Sequence, residues 1–174
     1  REMSINEEIL LVDGYNIINA WPNLSELKND DLEAARDKLI EIMADYAAQT
    51  GIAVIIVFDA HQVEKNRGAS YNIYGIQVVF TKEGETADHY IEKVADLLGR
   101  EASVRVATSD WIEQQIVLGR GATRISAREL YNEVNYMIEK RRKRQEQMND
   151  SSGTLEDRID PRIKEILKKY TQKQ

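Results

Sequence analysis

The chain has 174 residues, 42% of them apolar, with no cysteine, two histidines (His61 and His89) and a formal net charge of −6. That length predicts one domain with a real core, while the composition excludes disulfides, thiolate metal sites and a histidine-rich zinc site. Any metal must be held by oxygen ligands, which points to Mg2+ or Mn2+. The charge is unevenly spread. Residues 1–118 carry 10 Lys/Arg against 21 Asp/Glu, whereas residues 119–174 carry 14 against 9. An acidic body with a basic tail argues against indiscriminate RNA binding by bulk electrostatics, and suits a tail that docks on something large and anionic. No apolar run reaches the roughly 20 residues of a membrane span. Residues 1–8 are polar and lack the core of a signal peptide. A cytoplasmic protein with no membrane association is therefore expected.

In chain order, residues 9–13 (ILLVD) form a continuous apolar run that reads as a strand covered on both faces. Residues 32–48 place Leu32, Ala35, Leu39, Ile42, Met43 and Tyr46 at helical spacing, with Gly51 as a stop. Residues 52–58 (IAVIIVF) are a second buried strand, followed by Asp59. Residues 60–75 are polar with two glycines and are expected to be a long loop. Residues 76–80 (IQVVF) are a third strand. Residues 86–98 are a helix with Thr86 as N-cap and Gly99 as stop. Residues 103–107 (SVRVA) are a fourth strand, after which Thr108, Ser109 and Asp110 open a helix to about Leu118. A short strand near 123–125 follows. The pattern Ser126-Ala127-Arg128-Glu129 is a capping box for a helix to about Met148. Residues 149–153 read as a linker. Asp160-Pro161 starts a last helix with Ile163, Ile166, Leu167 and Tyr170 on its apolar face. The expected organisation is one main domain over residues 1–148, with linker and C-terminal helix over 149–174.

Strands alternating with helices imply a mainly parallel sheet covered on both faces, with sites forming beyond the carboxyl ends of the strands. Four aspartates fall there. Asp13 ends the first strand and Asp59 the second, while Asp88 and Asp110 lie in the first turns of the helices after strands three and four. Gathering like charges is costly unless a cation neutralises them. One or two Mg2+ ions would do so and would supply Lewis acidity and an activated water. Each aspartate also has a simpler role available: a turn at Asp13-Gly14, or helix N-terminal charge at Asp88 and Asp110. Asn16 could bind a phosphate, orient a water or brace Asp13. Glu92 shares a helical face with Asp88, and His61 lies two residues after Asp59.

Tyr71 and Tyr74 are candidates for stacking on unpaired bases, while Trp21 and Trp111 suit packing. The run Lys140-Arg141-Arg142-Lys143-Arg144 is a basic collar around a helix, suited to backbone phosphates. A phosphohydrolase with Asp13 as nucleophile would need a second aspartate two residues on, where this chain has Tyr15.

The motif Leu11-Val12-Asp13-Gly14-Tyr15-Asn16 resembles the opening motif of YacP-like NYN-domain nucleases, a branch of the PIN-like superfamily. The likeness continues through Trp21-Pro22, Val57-Phe58-Asp59-Ala60-His61, Thr81-Lys82-Glu83, Glu85-Thr86-Ala87-Asp88, Ala107-Thr108-Ser109-Asp110 and Ser126-Ala127-Arg128-Glu129-Leu130. It implies a three-layer α/β/α PIN-like fold with a C-terminal helical extension. By position it implies acidic metal ligands at Asp13, Asp59, Asp88 and Asp110, with Asn16 as polar partner. The family also resembles bacterial ribosome-associated endoribonucleases that cut translated mRNA in the ribosomal A site. The partners so implied are mRNA and rRNA, with no organic cofactor. The loop at 62–75 is the least family-like stretch.

Overall fold

The computed structural model describes residues 7–59, 67–109, 122–151 and 160–172. The chain clusters into two compact units, residues 1–134 and 135–174. In the first, a six-stranded sheet contains β1 (Glu8–Asp13), β2 (Ala53–Phe58), β3 (Arg67–Ile73), β4 (Ile76–Lys82), β5 (Ser103–Ala107) and β6 (Thr123–Ile125), in the order β3-β4-β2-β1-β5-β6. All pairings are parallel except β3 with β4. From β1 the chain moves outward to β2 and β4, then returns across the sheet to β5 on the other side of β1. The strand order therefore reverses at β1, where ligand crevices form in open parallel sheets.

The continuous apolar character of β1 has a direct cause: Leu10, Leu11 and Val12 are all fully buried. Successive side chains point to opposite faces. Ile9 and Leu11 pack with Val57, Val79, Val104 and Val106 against Ala87, Ile91 and Ala95 of α4 (Ala87–Leu98). On the opposite face lie α1 (Gly14–Ala20), α2 (Pro22–Asp30) and α3 (Leu32–Thr50). The first helix buries Ile17 and Ile18, and the third buries Ala35, Leu39, Ile40, Met43, Ala44 and Tyr46. The expected three-layer α/β/α arrangement is thus present. Two short helices, α1 and α2, occupy a stretch to which the sequence pattern assigned no element. Asp31 caps α3 by accepting from the Ala34 N–H at 3.1 Å.

The expected loop at 60–75 is corrected over its second half: residues 67–73 are β3, the antiparallel edge strand. It turns into β4 through Tyr74 (φ 52°) and Gly75 (φ 87°). Two consecutive positive φ angles match the twist of a two-residue hairpin. Gly68, Ser70 and Asn72 weaken the strand signal, and an edge strand with much of its surface in water has no need of an apolar run. Residues 60–66 lie outside the described residues, as does the helix expected from Asp110 to Leu118.

The helix α5 (Ala127–Ser151) begins with the expected capping box: Ser126 Oγ accepts from the Glu129 N–H at 3.1 Å and Glu129 Oε1 from the Ser126 N–H at 3.4 Å. It runs to Ser151, so residues 149–151 continue the helix that was expected to give way to a linker at 149. Within the first unit α5 buries Leu130 and Val134, and the Trp21 indole donates to the Ala127 carbonyl at 2.9 Å. In the second unit, α6 (Pro161–Gln172) starts where expected, with Asp160 Oδ1 accepting from the Arg162 N–H at 2.9 Å. Among the described residues no helix is long and apolar enough to cross a membrane.

A polar triad ties α3, β5 and α5 together. The Tyr46 hydroxyl donates to Glu133 Oε2 at 2.8 Å, and Arg105 donates to the Tyr46 oxygen at 3.0 Å and to Glu133 Oε1 at 3.2 Å. Burial, then the Glu133 carboxylate, push the Tyr46 phenol from 10.0 up to about 12, against the opposing pull of Arg105. The folded value lies above the unfolded one. Stabilisation from Tyr46 is therefore complete below pH 10 and is lost as pH rises from 10 towards 12. Urea unfolding of Tyr46→Phe should show a shallower decline across that alkaline window than the unaltered chain; an identical decline would remove Tyr46 as its source.

Candidate active site

Asp13 closes β1 at the point of strand reversal and is 9% exposed. Gly14 follows because α1 starts directly against the Phe58 ring: a Cβ at position 14 would stand 2.4 Å from two of its carbons. The Asp-Gly pair therefore does more than start a turn, since it lets a helix begin at the end of a buried strand. Thr108, fully buried just past β5, donates from its hydroxyl to Asp13 Oδ2 at 3.3 Å. This bond restrains the carboxylate.

Asp59 lies just beyond β2. Asp13 pairs in register with Val57, so strand spacing and rise put the Cα atoms of Asp13 and Asp59 on the order of 8 Å apart. Asp59 Oδ2 accepts from the Ala87 N–H at 3.3 Å, at the N-terminus of α4. Helix N-termini favour negative charge and leave such donors unsatisfied. Asp88 is the next residue, in that same first turn. The turn is set by Thr86, whose hydroxyl oxygen accepts from the His89 N–H at 3.2 Å as expected.

Asn16 sits in α1, one turn from Asp13. Its Oδ1 accepts from the Ser109 N–H at 2.8 Å, while Ser109 Oγ accepts from the Ala127 N–H at 3.1 Å. Asn16 thus braces the segment after β5, immediately before position 110. Asp110 and His61 lie outside the described residues. Among the described residues, no group of three or more His, Asp or Glu side chains is arranged to hold a metal ion. The edge thus brings together Asp13 with Thr108, Asn16 with Ser109, and Asp59 with the α4 terminus. The donors are all oxygen. That chemistry fits a hard divalent ion, which commonly takes one or two carboxylates and completes its shell with water and substrate phosphate.

Sequence reasoning missed the pair Tyr15–Arg36. Arg36 donates to the Tyr15 hydroxyl at 3.2 Å, and the Tyr15 ring lies 5.1 Å from that of Phe58. Burial raises the Tyr15 phenol, Arg36 lowers it, and the charge of Asp59 raises it further. Residues 21 apart with no shared motif gave no signal.

Tyr71 on β3 and Tyr74 in the hairpin turn are 52% and 75% exposed. Lys140 to Arg144 are exposed on α5 in the second unit. There Arg142 already bonds Glu139 at 2.6 Å and Glu146 at 2.9 Å.

A mainly parallel sheet whose strand ends carry acidic side chains at the reversal point is the arrangement of a PIN-like nuclease domain. The chain belongs to the YacP-like NYN domain family, whose model matches residues 10–172. A Bacillus subtilis protein described as "Uncharacterized protein YacP" is 52% identical over 160 residues, covering 91% of this chain and 83% of that protein. The crystal structure of Rae1 (YacP) from Bacillus subtilis superposes with a TM-score of 0.71 at 41% identity, over 94% of each chain. A second crystal structure, of a point mutant of Rae1 (YacP), gives 0.70 at 47% identity, over 81% of this chain and 82% of that one.

Thr108→Val, which keeps shape and removes the donor to Asp13, should cost about 1–2 kcal/mol of stability in urea unfolding, while Thr108→Ser should recover most of it. Equal stability of Thr108→Val and the unaltered chain would show that the hydroxyl does not support the carboxylate.

Proposed function

We propose that this chain is a divalent-metal-dependent endoribonuclease that cuts mRNA on translating ribosomes. The observation that carries the reading is the buried Asp13 carboxylate at the strand reversal, with Asp59 and Asp88 on the same edge of a nuclease-class fold. Asp13 and Asp88 would be the essential ligands of Mg2+ or Mn2+, with Asp59 and Asp110 completing or orienting the set. When bound, such an ion would supply Lewis acidity and neutralise charge on the phosphate oxygens.

The chain's own residues prepare that chemistry. Thr108 donates to Asp13, and the α4 terminus donates to Asp59 through the Ala87 N–H. Asn16 anchors Ser109, from which position 110 follows. The family resemblance implies 5′-phosphate and 3′-hydroxyl products. Tyr71 and Tyr74 present exposed rings on which unpaired bases can stack. Lys140, Arg141, Arg142, Lys143 and Arg144 suit rRNA phosphates, and Arg142 must first exchange its two glutamates. An acidic body makes free RNA a poor substrate, so the ribosome, at its A-site region, would provide binding and orientation.

A non-catalytic RNA- or ribosome-binding module on the same fold is the second reading. It is favoured by one observation: Asp13 and Asp59 already accept hydrogen bonds, from Thr108 and the Ala87 N–H, as carboxylates with a structural role would. Cleavage of one mRNA, naked and under translation, separates the two. Cleavage is expected under translation, is removed by EDTA, and falls on the order of a hundredfold or more in Asp13→Asn and Asp88→Asn. Full activity of both variants would refute the metal assignment, and no cleavage by the unaltered chain would favour the module. Reversing Lys140, Arg141, Lys143 and Arg144 to Glu should reduce co-sedimentation with ribosomes at moderate salt without lowering the melting temperature; unchanged co-sedimentation would remove the collar from the account.

A further inference from the structure

We propose that Arg36, held by the Tyr15 hydroxyl, binds a backbone phosphate of the RNA strand beside the carboxylate edge. The inference rests on the reading of the edge as an RNA-cleaving site and adds to it a cationic contact that the sequence motifs did not mark.

Arg36 is half-buried on α3, and among the described residues its polar partner is the neutral Tyr15 phenol at 3.2 Å. Elsewhere in the first unit Lys38, Lys93 and Arg105 are matched with the carboxylates of Glu41, Glu85 and Glu133, while the exposed Lys28–Asn19 contact is also to a neutral group. A guanidinium has five donors in a rigid fork, so one bond to a phenol leaves capacity for a bidentate phosphate contact. A partly desolvated guanidinium paired with a neutral phenol keeps charge that an arriving anion can match.

Its position suits that anion. The third helix must start at the carboxyl edge to lead back into β2, and Arg36 lies early in it. Tyr15 follows Asp13 by two residues, and its ring packs at a 52° tilt against that of Phe58, the residue before Asp59. Arg36 therefore stands one side chain away from the acidic edge. A strand entering there meets repulsion from the aspartates, and a fixed cation beside them offsets it for one phosphate. Holding the guanidinium through a phenol restricts the rotamers of a long side chain before the ligand arrives, which lowers the entropy lost on binding.

The test is equilibrium binding of a fluorescein-labelled single-stranded RNA dodecamer to the full chain in EDTA, across a KCl series. Loss of one phosphate contact to a single strand makes the slope of log K against log[salt] shallower by about 0.7. Arg36→Gln should show that change and bind about tenfold more weakly at low salt. Arg36→Lys should keep the slope of the unaltered chain. Tyr15→Phe should bind more weakly at an unchanged slope, because the charge remains while its hold is lost. Melting temperatures report folding, and should Arg36→Gln unfold, the Tyr15→Phe and Arg36→Lys pair carries the test.

An unchanged slope in Arg36→Gln, or no measurable binding by the unaltered chain at millimolar protein, overturns the proposal. A merely structural tether between α1 and α3 would change melting temperature and leave the slope alone. The two readings fail separately. Lost cleavage in Asp88→Asn with an unchanged Arg36→Gln slope sinks this inference alone. A shallower slope together with full cleavage by Asp88→Asn sinks the catalytic assignment and leaves the phosphate contact standing.

Discussion

A carboxylate at the end of the most buried strand is the constraint on which the rest of the structure turns. Leu10, Leu11 and Val12 are removed from water completely, and the chain then presents a charged group while still enclosed by β2 on one side and β5 on the other. An ionised carboxylate in such a place needs hydrogen bonds, a counter-charge, or both. The fold supplies the first through Thr108, and the proposed cation supplies the second. Stability alone gives little reason to end a core strand this way; a site that gathers negative charge for a metal does.

The neighbouring features follow from the same edge. The reversal of strand order at β1 opens space beyond the strand ends, and the crossovers on its two sides send α1 to α3 over one face and α4 over the other. As a result the start of α4 meets Asp59, and the start of α1 meets the segment after β5 through Asn16. Gly14 is required because α1 has to begin in contact with Phe58. Each side chain at the edge is thus positioned by backbone that the core holds rigid, which is how a constellation stays accurate without relying on long loops.

Much of this was legible in the sequence, for identifiable reasons. Strands β1, β2, β4 and β5 are covered on both faces or nearly so, and such strands appear as unbroken apolar runs. The helices α4, α5 and α6 declare themselves through Thr86, the Ser126/Glu129 box and Asp160. What escaped had no local signature. The first helix is seven residues containing Gly14 and two asparagines, all poor helix formers. The third strand is an edge with Gly68 and Asn72. At the site, the aspartates stood out because each follows a readable strand or cap. Asn16 stood out with them, but the pairings that support the edge did not: Thr108 and Asp13 are 95 positions apart, Ser109 and Asn16 are 93 apart, and Arg36 is 21 from Tyr15. Contacts of that range are decided by topology, which periodicity and motif spacing do not encode.

The central claim, that Asp13 and Asp88 share a divalent cation, is tested most directly by titrating Mn2+ into the full chain and following its electron paramagnetic resonance. The account predicts saturable binding in the unaltered chain, weakened by Asp13→Asn and by Asp88→Asn, with melting curves showing both variants folded. Binding that is absent from the unaltered chain even with RNA present, or equally tight in both variants, would contradict it.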